Sequence, residues 1–451
     1  MVTKPGLARS SHSLWLFTAL AGATALSLGV YLGVAWSNTF ELDDYWHAGL
    51  VKHLGWWRTQ IEFYSIWEGS IAHTAMSSLP YALHPISSSL LPFFLVCGSL
   101  ITLTIAVRRV LIAWLPNVHG WHVCIISLSL VLTWLLHTTG KSELRYWVSG
   151  NVSYLTGAAL IIELTSGCVA PPPQKRWMGW ECVWTAMVSL HKLNIAIVGV
   201  GIAAVSAIRA SSSRTPREHV VLGSLIAVGL SLNVLAPGNV LRLAENTVAL
   251  MPSEAWTLLQ IIGFNVWHVA FRFVLEASIG VIALMAIVHT TYQDSGISRW
   301  RALVCVWLGI LVVDSVVMRV AFANPGPARA HILLEWATLA LMCGVGLATF
   351  AWLAAPRRIV AAVAICGLCV GASAESREVW RIEAARVYKQ AYTRRIIDAR
   401  LQCQQRAVQI RVATLPANSG LHTMLSNNPD WLSNVYLPYW GCPKGVSISL
   451  R

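Results

Sequence analysis

Runs of about 20 apolar residues, many bordered by Arg or Lys, recur along this chain and leave it one broad class of fold. A run of that length crosses the hydrocarbon core of a bilayer as a helix, which satisfies its backbone amides within its own segment. The alternation of a β-barrel is absent from the sequence. The chain is 56% hydrophobic, against roughly 45–50% for a soluble domain. The expected fold is an all-α, polytopic transmembrane helical bundle.

Basic residues orient the spans. Lys4 and Arg9 precede the first, Leu14 to Trp36, and hold that end in the cytoplasm. This run exceeds a signal-peptide core and lacks a small-x-small cleavage pattern after it, so it is read as a retained span. Further spans are expected at about 88–107, 121–139, 153–170, 219–236, 272–291, 302–322, 332–354 and 359–375. Residues 178–208 are too long for one span and read as two short helices turning at His191-Lys192-Leu193-Asn194. The total is about 11 spans. The inner segments then carry Lys and Arg, with Glu218 and Asp294 as their acids. Residues 37–86 become a long first outer loop with short amphipathic helices, and 252–270 an outer-face amphipathic helix. The polar loops around Glu143, His191, Arg242 and Arg329 all fall on the face of that first loop.

The first loop carries an acidic knot. Glu41, Asp43 and Asp44 stand together, Tyr45, Trp46 and His47 follow, then Trp56 and Trp57, and Glu68 closes the stretch. Only 12% of the chain is charged, so carboxylates grouped beside a span need a reason. The net charge of +13 comes largely from span ends and is an orientation signal rather than a nucleic-acid surface. Of ten Cys, eight lie in apolar spans and suit packing; the C-x-x-C at Cys366 and Cys369 lacks metal-ligand neighbours. Cys403 and Cys442 lie in polar sequence and are either a disulfide or a free pair. The 22 Trp suit interface belts and sugar-stacking surfaces. There is no Walker loop, Rossmann fingerprint or H-E-x-x-H.

Residues 376–451 form a small extramembrane tail. Residues 376–411 read as a basic amphipathic helix with Ala385, Tyr388, Tyr392, Ile396 and Ala399 on one stripe. Arg377, Arg381, Arg386, Lys389, Arg394, Arg395 and Arg400 crowd it. Such a helix usually sits in the cytoplasm against anionic lipid.

Five short motifs occur in order along most of the chain. They are D-D-Y at Asp43–Tyr45, Y-x-x-W-E-G at Tyr64–Gly69 and E-L-R-Y-W-V-S-G-N-V-S-Y-L at Glu143–Leu155. A-P-G-N-x-x-R at Ala236–Arg242 and P-D-W-L-S-N-V-Y-L-P-Y-W-G at Pro429–Gly441 complete the set. In this the chain resembles membrane glycosyltransferases of the GT-C type, and more narrowly a bacterial multi-spanning family of uncharacterised function. The resemblance implies an outer-facing site at the bacterial inner membrane, a polyprenyl-phosphate-linked sugar donor, a glycan, lipid or protein acceptor, and a tail on the outer side. One departure stands out. Where the family pattern has Gly-Arg after the loop tryptophan, this chain has Glu68-Gly69-Ser70.

Glycosyl transfer from a lipid phosphate needs a carboxylate base, cations for the leaving phosphate and a polar, aromatic cleft. Adjacent Asp43 and Asp44 point about 100° apart on a helix. Asp43 is the expected base and Asp44 the second candidate; the alternative for either is capping the helix that follows. Glu68 and Glu143 are candidates for acceptor hydrogen bonds or a divalent cation, against simple pairing with Arg58 or Arg145. Arg242 and Arg329 follow Pro-Gly elements and suit the phosphate, against snorkelling to headgroups. His191, Lys192 and Asn239 complete the polar set, and His331 and Glu335 are spaced to pair with each other. Trp46, Trp56, Trp57, Trp67 and Trp147 are the candidates for stacking on sugar rings, against interface anchoring. A transporter or flippase of a lipid-linked or anionic substrate is the competing expectation, with a structural envelope subunit a third. The transporter would use ionisable groups inside spans, of which Glu163, Glu181, Glu276, Asp314 and Arg319 are available.

Overall fold

The computed structural model describes residues 11–41, 43–83, 90–114, 120–139, 144–169, 178–209, 216–241, 256–291, 300–322, 328–352, 357–416, 421, 427–443 and 445–450. It is mostly helical. Six helices are long and apolar enough to cross a membrane: Leu14–Ala35, Leu91–Ile112, Gly120–His137, Leu258–His289, Leu303–Val320 and Ile332–Trp352. Shorter apolar helices cover Leu193–Ile202, Val220–Val234 and Ile359–Val370.

The chain opens with α1 (Ser11–Ala35) and then, in the first loop, α2 (Asp43–Leu54), α3 (Trp56–Ile66) and α4 (Ile71–Leu83). Next come α5 (Leu91–Trp114), α6 (Gly120–His137) and α7 (Thr156–Val169), the last entered through a π-helical turn at Asn151–Leu155. The helices α8 (Met178–Ser189) and α9 (Leu193–Arg209) meet at a tight turn, and α10 (Pro216–Val234) follows. Then come α11 (Leu258–Phe264), α12 (Arg272–Thr291), α13 (Trp300–Phe322), α14 (Ile332–Trp352) and α15 (Arg357–Glu378). In the core, α12 packs against α14 and α15, α5 against α7, and α1 against α15.

The surface helix expected at 252–270 is not a separate element. From Leu258 the helix continues through a π-helical segment, Asn265–Phe271, directly into α12. A wide turn of this kind keeps the helix unbroken where a side chain is pulled off register. Here Asn265 is fully buried and bonded to α13.

The pairing of His331 with Glu335 is also replaced. Glu335 accepts from Trp134 Nε1 at 3.0 Å, Thr138 Oγ1 at 2.5 Å, Thr139 N at 2.7 Å and Thr139 Oγ1 at 2.5 Å. Four donors satisfy the buried carboxylate and fasten α14 to the end of α6. The end of α6 is closed a second time by Arg145, which donates to the carbonyls of Leu135 and Leu136, where a cation meets the negative pole of the helix.

The tail forms α16 (Trp380–Gln404), β1 (Gln409–Val412), α17 (Pro429–Trp440) and β2 (Ser447–Leu450), with the two strands parallel. The expected stripe is the packed one: Ala385, Tyr388, Tyr392 and Ala399 are buried and Ile396 packs against them. Arg395 departs from the exposed basic crowd. It is 2% exposed and donates to Ala413 O at 2.8 Å and Asn427 Oδ1 at 2.6 Å, closing the tail on itself. Cys403 and Cys442 are joined as a disulfide with their Cα atoms 5.5 Å apart, in the ordinary range for such bonds. The tail lies on the first loop and the end of the first span: Lys52 reaches Tyr439 O at 3.1 Å, Tyr388 donates to Glu41, and Lys389 reaches Trp36 O at 3.1 Å.

Peptide mapping without reductant is expected to recover Cys403 and Cys442 in one linked product that reductant separates. Two free thiols before reduction would refute the bond.

Candidate active site

Asp44 is where the first loop meets the rest of the bundle. It is fully buried in the first turn of α2. One carboxylate oxygen accepts from Ser149 N at 2.9 Å, Ser149 Oγ at 2.5 Å and Tyr81 Oη at 2.8 Å. The other accepts from Glu41 N at 2.8 Å, closing the turn before the helix. Burial lifts the Asp44 carboxyl from its ordinary 3.8 to about 6, even though every one of these donors pulls it down. Asp43 is half-buried beside it in the same turn. Glu41 is buried and accepts from Tyr388 of α16, and Tyr392 donates to Phe40 O.

The motif Leu144–Leu155 explains its own residues. Asn151 holds Leu144 O and Arg145 O at 2.9 Å each, Asn38 holds Tyr146 O at 2.5 Å, and Tyr31 holds Arg145 O at 3.2 Å. This fixes the segment so that Ser149 presents both its donors to Asp44. Trp147 is buried at the entry to that turn and offers no open stacking face.

A second cluster surrounds Glu68, which is buried. His73 Nδ1 lies 2.7 Å from Glu68 Oε1, and Lys192 donates to Oε2. The Lys192 ammonium also stands 5.8 Å from the centre of the Tyr154 ring, within cation–π range. His191 is fully buried; its Nδ1 accepts from Lys192 N at 2.8 Å, so its Nε2 carries the proton toward Ser153 O at 3.1 Å. Burial, with His73 and Lys192 nearby, keeps this imidazole neutral. Glu68 is thus held by both His73 and Lys192.

Two glycines bring the Y-x-x-W-E-G and A-P-G-N motifs together. A Cβ on Gly69 would stand 2.2 Å from Asn233 O, and one on Gly238 would stand 2.6 Å from Trp67 N. No larger residue fits either place. Asn239 locks the seam, accepting from Gly69 N at 3.2 Å and donating to Asn233 O at 2.6 Å. Its amide is spent on the backbone.

His47 joins the clusters. It lies one helical turn beyond Asp44, with Nδ1 3.4 Å from Ser149 Oγ. It also feels His73, Glu68 and Lys192. Burial above all, then the field of His73, drives its pKa down to about 3. His47, His73, Tyr81 and Ser149 were given no role from the sequence, although His47 stands in the acidic knot and Ser149 in the Glu143–Leu155 motif. Spacing offered a signal for two of them: Asp44 and His47 are i, i+3 on one helix face, and His73 follows Glu68 by five residues. Tyr81 and Ser149 act from distant segments, and spacing offered no signal for either.

The remaining expectations scatter. Glu143 and Arg242 lie outside the described residues. Arg329 falls in the turn Ala328–His331, with its side chain outside them. Of the loop tryptophans, Trp46 packs against Phe63 and Trp67, while Trp57 is 76% exposed. Among the described residues no group of three His, Cys, Asp or Glu side chains is arranged to hold a metal ion. Comparison with family models, with curated proteins and with solved structures finds no match for the chain.

The two buried titratable groups act oppositely on stability. Below pH 6.5 an unfolded His47 takes up a proton that the folded one refuses, so its contribution falls as pH drops toward about 3. Asp44 binds its proton in the fold first, so its contribution rises as pH drops from about 6 toward 3.8. Each slope approaches ~1.4 kcal/mol per pH unit. Relative to wild type, the thermal midpoint of His47→Gln is expected to rise on acidification from about pH 6 to about pH 4.5, and that of Asp44→Asn to fall. Parallel curves for all three proteins would contradict both assignments.

Proposed function

We propose that the chain is an integral-membrane glycosyltransferase of the GT-C type, with about 11 spans, that moves a sugar from a polyprenyl-phosphate donor to a hydroxyl of a cell-envelope glycan, lipid or protein. The observation that carries this reading is the convergence at one end of the bundle: Asp43, Asp44 and Glu68 of the first loop lie with Ser149, Tyr154, His191 and Lys192. In it, Asp43 takes the acceptor proton. Asp44 is a positioning residue, since its oxygens are engaged by Glu41, Tyr81 and Ser149. Lys192, held by Glu68, is the cation that a lipid phosphate would draw away, in place of the arginine that the first-loop motif lacks. The disulfide in the tail fits an oxidising compartment. With the tail resting on the first loop, this supports an active site facing the periplasm of a bacterial inner membrane.

The transporter reading is favoured by a separate observation. Asp314, 2% exposed, sits inside a candidate span with His331 Nδ1 2.6 Å away, and buried ionisable groups at such depth mark ion and proton paths.

Protein reconstituted with a radiolabelled polyprenyl-phosphate sugar and a lipid-extract acceptor is expected to transfer label. Asp43→Asn is expected to slow transfer by about 100-fold or more, the usual worth of a general base. Transfer by Asp43→Asn at the wild-type rate sinks the base assignment. Scrambling or uptake of the donor with no transfer decides for the transporter.

A further inference from the structure

A second polar cluster lies away from the first loop, between α13, α14 and the π-helical segment before α12. Asn265, Asp314, Ser315 and His331 are each no more than 2% exposed. The Asn265 amide nitrogen donates to Ser315 Oγ at 3.0 Å and approaches Asp314 Oδ2 at 3.3 Å. His331 Nδ1 lies 2.6 Å from that same Asp314 oxygen. The other oxygens, Asp314 Oδ1 and Asn265 Oδ1, are buried with no hydrogen-bond partner among the described residues. An acceptor left this way costs ~1–3 kcal/mol, and more when charged.

Charge accounting narrows the ligand. His331 Nδ1 and the Asn265 amide both lie on Asp314 Oδ2, so among the described residues Asp314 Oδ1 is left unmet, as are Asn265 Oδ1 and the His331 ring atom Nε2. No Lys or Arg is paired with Asp314 among the described residues; its ion-pair partner there is His331. Unmet acceptor oxygens beside a carboxylate are met by a positive group. The atoms offered are hard oxygens of a carboxylate, an amide and a hydroxyl, which suit alkali and alkaline-earth ions rather than thiophilic metals. One carboxylate balances one positive charge, so a divalent ion would stay uncompensated. The helix is also widened where Asn265 enters, and such π-helical insertions recur at functional sites.

We propose that Asn265, Asp314 and Ser315 form a binding site for a small monovalent cation of the sodium class within the bundle. The site shares no side chain with the Asp44 and Glu68 clusters and does not depend on the transfer reaction.

The test is equilibrium binding of radioactive sodium to the purified full chain in detergent, near pH 8 with choline as the background salt. Saturable binding of one ion per chain, displaced by unlabelled sodium, is expected. Asp314→Asn should weaken it by about tenfold or more. Ser315→Ala is the milder variant, in case Asp314→Asn does not fold. It should weaken sodium binding several-fold while the variant stays folded in choline, as read by its far-UV circular dichroism. Absence of saturable sodium binding by the wild type overturns the proposal and leaves the cluster to a buried water or to a proton on His331. Wild-type binding in Ser315→Ala together with Asp314→Asn overturns it equally.

Discussion

A carboxylate taken out of water must be met by donors, and at Asp44 those donors come from three separate stretches of chain: the turn at Glu41, the helix bearing Tyr81 and the segment bearing Ser149. Removing any one of them would strand part of a buried charge at a cost of several kcal/mol. Each charge-assisted bond returns ~1.5–3 kcal/mol. Through Ser149 an ionisable group therefore ties the first loop to the bundle, alongside the apolar packing of Phe40, Tyr45, Ala48 and Tyr81 into the core. Asp43, the next residue along, inherits its place from that arrangement. Of the two roles that the sequence left open for Asp44, base or cap, its bonds match the cap: it closes the first turn of α2 and holds the backbone beside Asp43 in place.

The tail extends the same logic. Tyr388 and Tyr392 reach Glu41 and Phe40 O from α16, and the ring of Tyr45 lies 4.6 Å from that of Tyr436 on α17. The apolar stripe of α16 is thus turned toward the loop, which leaves Arg386, Arg394 and Arg400 on the outside. A basic amphipathic helix ordinarily seeks anionic lipid with its charged face. Here its apolar face has found protein, so charge alone does not decide its side of the membrane. Arg395 is the exception that binds the tail together, since its guanidinium is consumed by the backbone of Ala413 and by Asn427.

What could be read from the sequence was what local periodicity encodes. The apolar runs at 14–36, 121–139 and 332–354 correspond to helices within a few residues, and the turn at His191–Asn194 separates two helices as expected. The tail stripe was likewise visible, because 3.6-residue spacing is a property of one segment. Partnerships between segments were not. Glu335 has His331 one turn away, yet its carboxylate is taken by the end of α6, and His331 turns to Asp314. The parallel pair Gln409–Val412 and Ser447–Leu450 is four residues long on each side, too short for alternation to register. Asn265 looked like an ordinary polar residue of a surface helix. Only the π-helical segment, which depends on what α13 presents, carries it inward.

The turn between α8 and α9 is bonded to both buried clusters. Lys192 faces Glu68, and Asn233 holds the His191 carbonyl. Two residues further on, Asn194 donates to Ala330 O at 2.9 Å, next to the His331 that binds Asp314. The turn is short, with His191 and Asn194 buried and Lys192 half-buried, so little slack separates the groups. If a ligand phosphate draws Lys192 away from Glu68, the backbone that carries Asn194 is the element that must absorb the change. Coupling of this kind requires an element with two arrangements that both sites bias, not proximity alone. The structure holds one such arrangement, with Lys192 on Glu68, and Asn194 ties the same turn to the backbone beside His331.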